Sequence, residues 1–150
     1  MLARARVDHR VHRYHHDPET TAFGHEAAEA LGVDEGRVFK TLVTSVDGRL
    51  VVAVVPVDSE VDMKALAGAA GGKRAAMADP SLAERATGYV RGGISPVGGK
   101  RRLPMVIDER AMGWETVFVS GGRRGLELEL APDDLVRVTG AQVAPIARQG

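Results

Sequence analysis

Cysteine is absent from the 150-residue chain. That absence excludes a disulfide scaffold, a zinc ribbon, an iron–sulfur centre and a cysteine nucleophile. It is compatible with a cytoplasmic location. A surplus of either charge is also lacking, since 20 Lys and Arg balance 20 Asp and Glu. A protein held on nucleic acid by bulk positive charge is therefore excluded, although a local basic patch is not. No apolar run reaches the ~18 residues of a membrane span. The opening Met1–Arg6 contains no apolar segment of signal-peptide length. Internal repeats and low-complexity linkers are missing too. What remains is an ordinary globular composition, 44% hydrophobic and 27% charged, of a length that suits one domain.

The local patterns predict a mixture of strands and short helices. Val7 to Tyr14 alternates loosely as a strand, broken by Asp17-Pro18. Glu26 to Leu31 is helical with Gly32 as its stop, and Asp34 opens a short helix to about Val38. Thr41–Thr44 and Leu50–Val55 flank Asp47-Gly48, a preferred hairpin turn. Asp62 caps a helix to about Ala70. Lys73–Met77 is a strand, and Asp79-Pro80 starts a helix ending near Thr87-Gly88. Met105–Asp108, Thr116–Ser120 and Leu126–Leu130 read as strands, the last with one face wet. Pro132 opens a helix to about Val138, and Gln142–Ile146 is a last strand. The expected fold is mixed α+β: a single domain over residues 1–150. Its mixed, mostly antiparallel sheet curls towards a barrel with helices packed around it.

Several chemistries fail on spacing. His9, His12, His15, His16 and His25 cluster near the start. In a strand, residues three apart face opposite sides, and no His-Glu-x-x-His motif accompanies them, so no metal site is expected. No serine sits in Gly-x-Ser-x-Gly; Gly93-Ile94-Ser95-Pro96-Val97 is the nearest miss. Gly92 to Lys100 is rich in glycine, but Arg101 stands where a phosphate loop needs Ser or Thr. That stretch is either a tight-turning loop or one whose backbone N–H groups approach a ligand. Lys40 stands before a strongly apolar strand, where lysine is uncommon; it is either a snorkelling side chain or a shielded cation. Lys100-Arg101-Arg102 and Arg123-Arg124 form a local anion site if the fold gathers them at the glycine loop.

Motifs in order along the chain then carry a resemblance. They are Tyr14-His15-His16-Asp17-Pro18, Phe23-Gly24-His25-Glu26-Ala27-Ala28, Val38-Phe39-Lys40-Thr41-Leu42 and Met77-Ala78-Asp79-Pro80. Thr87 to Gly98, Lys100-Arg101-Arg102-Leu103-Pro104 and Val119 to Leu126 follow. Together, from about Arg6 to Arg148, they resemble Cys-tRNA(Pro) deacylases of the YbaK/EbsC type, in the superfamily of the prolyl-tRNA synthetase editing domain. The resemblance implies trans editing: cleavage of the ester of tRNA(Pro) mischarged with cysteine. It implies Lys40 as the essential residue and a substrate pocket of Tyr14, Phe23, Thr41, the loop Gly92-Gly93-Ile94-Ser95-Pro96, and Ser120. It also implies attack by the substrate's own thiol, so that the activity classes as a hydrolase or a lyase. Lys100, Arg101, Arg102, Arg123 and Arg124 are the expected contacts to the tRNA acceptor end. The expected partners are mischarged tRNA and prolyl-tRNA synthetase, with no DNA, no membrane and no cofactor. Near-zero net charge suits weak tRNA binding with delivery by the synthetase. One departure is that only Met1–Arg6 stand where the family has a fuller N-terminal helix. Two alternatives stay open: a deacylase for another amino acid such as alanine, and a non-catalytic tRNA- or synthetase-binding module.

Overall fold

The computed structural model describes residues 7–98 and 103–149. Two β-rich runs meet at Asp47-Gly48 to form the central hairpin, β2 (Phe39–Val46) and β3 (Arg49–Pro56). Both turn residues take positive φ, 49° and 84°, the geometry of the tight hairpin turn. Strand β3 is buried along Val51–Pro56. Val52 and Val54 pack into one core layer, while Val51, Ala53 and Val55 pack into another. That two-sided burial explains why the run is apolar throughout rather than alternating.

Around this hairpin, β5 (Ala75–Met77) pairs antiparallel with β2. On the other side, β6 (Met105–Asp108) and β9 (Gln142–Ala144) add parallel to β3. The sheet order is β5-β2-β3-β6-β9. A second sheet holds β1 (His9–Arg13), β8 (Leu126–Leu130) and β7 (Val117–Ser120), in that order and antiparallel. A third pairs β4 (Ser59–Val61) with β10 (Ala147–Gln149). The fold is mixed α+β, as expected, but among the described residues no sheet closes into a barrel. The curl stops at one parallel bridge, Val38 to Phe118, which joins the two larger sheets before they part.

Helices cover this frame. Helix α1 (Phe23–Leu31) buries Ala27 and Ala28 in a small core with Val38, Val57 and Phe118. Asp62 caps α2 (Met63–Ala69) by accepting from the Ala65 amide. Asp79 caps α3 (Pro80–Thr87), accepting from Ser81 and Leu82. Helix α4 (Pro132–Thr139) seals the larger core with Leu135 and Val138. No helix among the described residues is long and apolar enough to cross a membrane.

Three expectations need correction, and two short elements lie outside the expected set. Helix α1 begins at Phe23, three residues earlier than composition indicates, and Ala22 supplies no side-chain cap. Instead, Glu26 of its first turn accepts from the Asp17 amide (2.8 Å) and holds His16 Nδ1 (2.6 Å). The helix expected from Asp34 is a single 3₁₀ turn, Glu35–Arg37. The short β4 and a 3₁₀ turn at Glu109–Gly113 carry too few residues for periodicity to show them. The final strand divides in two at Pro145-Ile146. There the buried Asp108 carboxylate accepts from the amides of Ile146 and Ala147, both at 2.9 Å, so those donors leave the ladder.

Candidate active site

Where β2 and β7 diverge beyond the Val38–Phe118 bridge, a cavity of about 270 Å³ opens. Phe39, Lys40, Thr41 and Leu42 of β2 line one wall. Ser120 of β7 and Glu127 of β8, paired across the ladder, line another. The segment Thr21–His25, entering α1, closes a third side, and Arg91, Gly92 and Ile94 close the fourth. Tyr14 also contributes.

Six of the expected pocket residues therefore meet: Tyr14, Phe23, Thr41, Gly92, Ile94 and Ser120, together with Lys40. Gly93, Ser95 and Pro96 lie buried behind the cavity surface. Their job is to shape the loop. A Cβ on Gly93 would lie 2.7 Å from Arg123 Cα, so this glycine allows the loop to dock on the 121–125 turn. Gly92 has φ +82°, and a Cβ there would lie 2.5 Å from the Phe23 ring. The loop is also tied internally. Gly93 N–H donates to Val90 O (2.9 Å), Val97 N–H to Ser95 Oγ (3.2 Å), and Tyr89 OH to Val97 O (3.3 Å). The glycines thus serve backbone packing first. Gly93 itself does not line the cavity, whereas Gly92 does.

Lys40 is half-buried, and burial pushes its ammonium below the usual lysine range, opposed by the charges of Glu60 and Asp58. The shielded-cation reading of the sequence is the one the structure supports. Thr41 Oγ1 is buried without a hydrogen-bond partner among the described residues. Ser120 Oγ accepts from Gly122 N–H (3.2 Å), and His25 Nδ1 is held by Glu35 (2.5 Å). No serine–histidine pair forms between them. Three of the other four histidines go separate ways: His12 to Glu129, His16 to Glu26, and His9 to the Val7 carbonyl.

The basic turn sits at the mouth. Arg124 stacks 4.2 Å over the Phe23 ring and donates Nε–H to Arg91 O (2.7 Å), tying turn, loop and α1 together. Arg123, its backbone against Gly93, is exposed. Lys100, Arg101 and Arg102 lie outside the described residues.

Composition and spacing missed Glu127. The Leu-Glu-Leu-Glu-Leu alternation of β8 indicates one wet face, yet Glu127 is only 6% exposed. Burial pushes its carboxyl from 4.5 up to about 8. Its neighbour Glu129 points the same way but is solvated by Thr116, His12 and Arg37, which keep it below the ordinary carboxylate range. The Tyr14 hydroxyl is raised to about 12, by burial first and the Glu127 charge second. The alternation itself was the available signal: two glutamates on one strand face, of which the fold has partners for one.

Chemically, the cavity holds a shielded cation, an unpartnered hydroxyl and a buried carboxyl, but no assembled protein nucleophile. It can bind, polarise and position a ligand.

Comparison with known proteins gives the same picture. The family model of the aminoacyl-tRNA editing domain matches residues 16–138. An Enterococcus faecalis protein named "Putative Cys-tRNA(Pro)/Cys-tRNA(Cys) deacylase EbsC" is 45% identical over 121 residues, 79% of this chain and 73% of that protein. The "Multifunctional Ser/Thr-tRNA deacylase ProXp-y" of Escherichia coli K12 is 34% identical over 85 residues, 54% of this chain and 51% of that one. A solved structure titled "Crystal structure of a putative trans-editing enzyme for prolyl tRNA synthetase" superposes with a TM-score of 0.82 at 29% identity. It covers 93% of this chain and 87% of the other.

Proposed function

The chain belongs to the aminoacyl-tRNA editing domain family, and from that membership we propose that it is a trans-acting deacylase of mischarged tRNA(Pro), with the cysteinyl ester as substrate. The observation that carries this reading is the shielded Lys40 ammonium facing a small cavity with no assembled nucleophile of its own. An aminoacyl ester is already activated. Positioning and polarising its carbonyl supply several kcal/mol without covalent help from the protein.

In this reading the ester enters between β2 and the loop. Lys40 stabilises negative charge on the carbonyl oxygen or on an oxygen of the terminal adenosine, and its shielding from water strengthens that effect. Thr41 supplies the hydroxyl that finds a partner only when the ligand is present. The substrate thiolate attacks its own carbonyl carbon, the carbon–oxygen bond to the ribose breaks, and the tRNA hydroxyl leaves with the proton. The products are a four-membered thiolactone and free tRNA, and water later opens the thiolactone to cysteine. The acceptor-end phosphates run towards Arg123, and prolyl-tRNA synthetase is the source of the mischarged tRNA.

The Escherichia coli relative favours a second reading, in which a serine or threonine ester is the substrate. Cys-tRNA(Pro) and its near-isostere Ser-tRNA(Pro) separate the two. The thiol mechanism predicts that the serine ester binds but is cleaved much more slowly. Equal rates assign the attack to a water and leave Lys40 its electrostatic role.

A further inference from the structure

Among the described residues Glu127 is the one carboxylic acid lining the cavity, and the steps above have no use for it. Its side chain is almost wholly buried and lines the cavity. Among the described residues it makes no hydrogen bond, and no Lys, Arg or His lies within ion-pair distance of it. None of the basic residues in the same lining pairs with it: Lys40 feels Glu60 and Asp58, the His25 imidazole is held by Glu35, and the Arg91 side chain is exposed. Its nearest strand-mate with a carboxylate, Glu129, has three partners. A buried carboxyl normally keeps a partner or stays neutral. Here burial alone raises it to about 8, so it is mostly protonated at pH 7.

The cavity is therefore bipolar: a cation on the β2 wall and an uncompensated carboxyl on the β8 wall, forming no ion pair with each other. A ligand that satisfies both needs an electron-rich oxygen near one end and a cation near the other. An aminoacyl ester has both, one carbon apart: the carbonyl and the α-amino group.

We propose that Glu127 is the counter-ion for the α-ammonium group of the aminoacyl ester, so that the cavity accepts esters with a free amino group and rejects N-acylated ones. This rests on the deacylase reading above and adds a filter to it. Proton balance is simple. A neutral amine takes its proton from the neutral acid, whereas an ammonium displaces that proton to water; both routes end in the same carboxylate–ammonium pair. An N-acyl amide carries no charge and cannot ionise Glu127.

The test compares Cys-tRNA(Pro) with N-acetyl-Cys-tRNA(Pro), each rate divided by its rate in buffer alone. Both keep the thiol, so the chemistry of attack is common to them. The wild-type enhancement should be at least ~100-fold larger for the free amine, on the scale of removing one partner of a buried charge pair. In Glu127→Gln that preference should fall below ~10-fold, mainly through a higher KM for the free-amino ester. Glu127→Asp, which keeps the charge on a shorter arm, should retain the preference at a reduced rate. A wild-type ratio near one, or a preference surviving intact in a folded Glu127→Gln, overturns the proposal. Binding of amide-linked cysteinyl-adenosine and its N-acetyl counterpart, measured by calorimetry, reads the same preference without turnover. If neither ester is cleaved above buffer while the free-amino analogue still binds better, the deacylase reading fails and the ammonium site stands. Equal binding of the two analogues rejects the site.

Discussion

Replacing Glu127 by Gln should leave the protein more stable, and the gain should grow with pH. The side chain is 6% exposed, and burial holds its carboxyl at about 8 in the fold against an ordinary 4.5 in the unfolded chain. Between those values the folded state keeps a proton that the unfolded state has released. Stability therefore falls as pH rises, by up to ~1.4 kcal/mol per pH unit. Integrated from pH 5 to pH 8, the loss is about 3 kcal/mol, and it levels off above the folded value. Glutamine has nearly the same shape and does not titrate, so it escapes this loss. Tyr14, His25, Lys40 and Arg91 share the cavity and are common to both proteins, so their own titrations largely cancel in the difference. Urea unfolding of the two proteins at pH 5, 6.5 and 8 measures it. The advantage of Glu127→Gln should widen by about 3 kcal/mol across that range. An advantage that stays flat would refute the reasoning, since Glu127 would then ionise as an ordinary solvated carboxyl.

Other outcomes follow from single contacts. Lys40→Ala should cost at least ~100-fold in deacylation, the scale of one oxyanion donor; Lys40→Arg should fail as well, because a planar fork does not replace a compact ammonium. Thr41→Val removes a buried hydroxyl that has no partner, so the melting temperature should rise, by about 1 kcal/mol of stability, while kcat/KM falls. Gly93→Ala places a Cβ 2.7 Å from Arg123 Cα, so thermal stability and activity should drop together, with the loop's protection from proteolysis lost. Asp108→Ala leaves the Ile146 and Ala147 amides without their acceptor and should destabilise by about 2–4 kcal/mol, with turnover per folded molecule unchanged. Arg123→Gln should raise KM and reduce its dependence on salt if the mouth meets phosphates; an unchanged KM assigns the side chain to the solvated surface.

Much of this was legible in the chain because local chemistry and tertiary structure agree. Asp47-Gly48 demanded a hairpin, Asp62 and Asp79 announced helix starts, and the apolar β3 run matched burial on both faces. Lys40 was visible as a charge beside an apolar strand. What escaped depends on contacts distant in sequence. Asp108 breaks the last strand by reaching residues 146 and 147. Gly93 meets a backbone 30 residues away, which no local pattern distinguishes from ligand approach. Glu127 and Glu129 alternate identically in sequence, and only the placement of Arg37, Thr116 and His12 makes one solvated and the other bare. The expected wet face of β8 is in part a buried wall.

The most direct measurement follows loss of the ester from tRNA(Pro) charged with cysteine and, in parallel, with proline, at equal protein concentration. The account predicts that the cysteinyl ester is released at least ~100-fold faster and that the prolyl ester decays at its rate in buffer. Equal release of both, or release of neither, would contradict it.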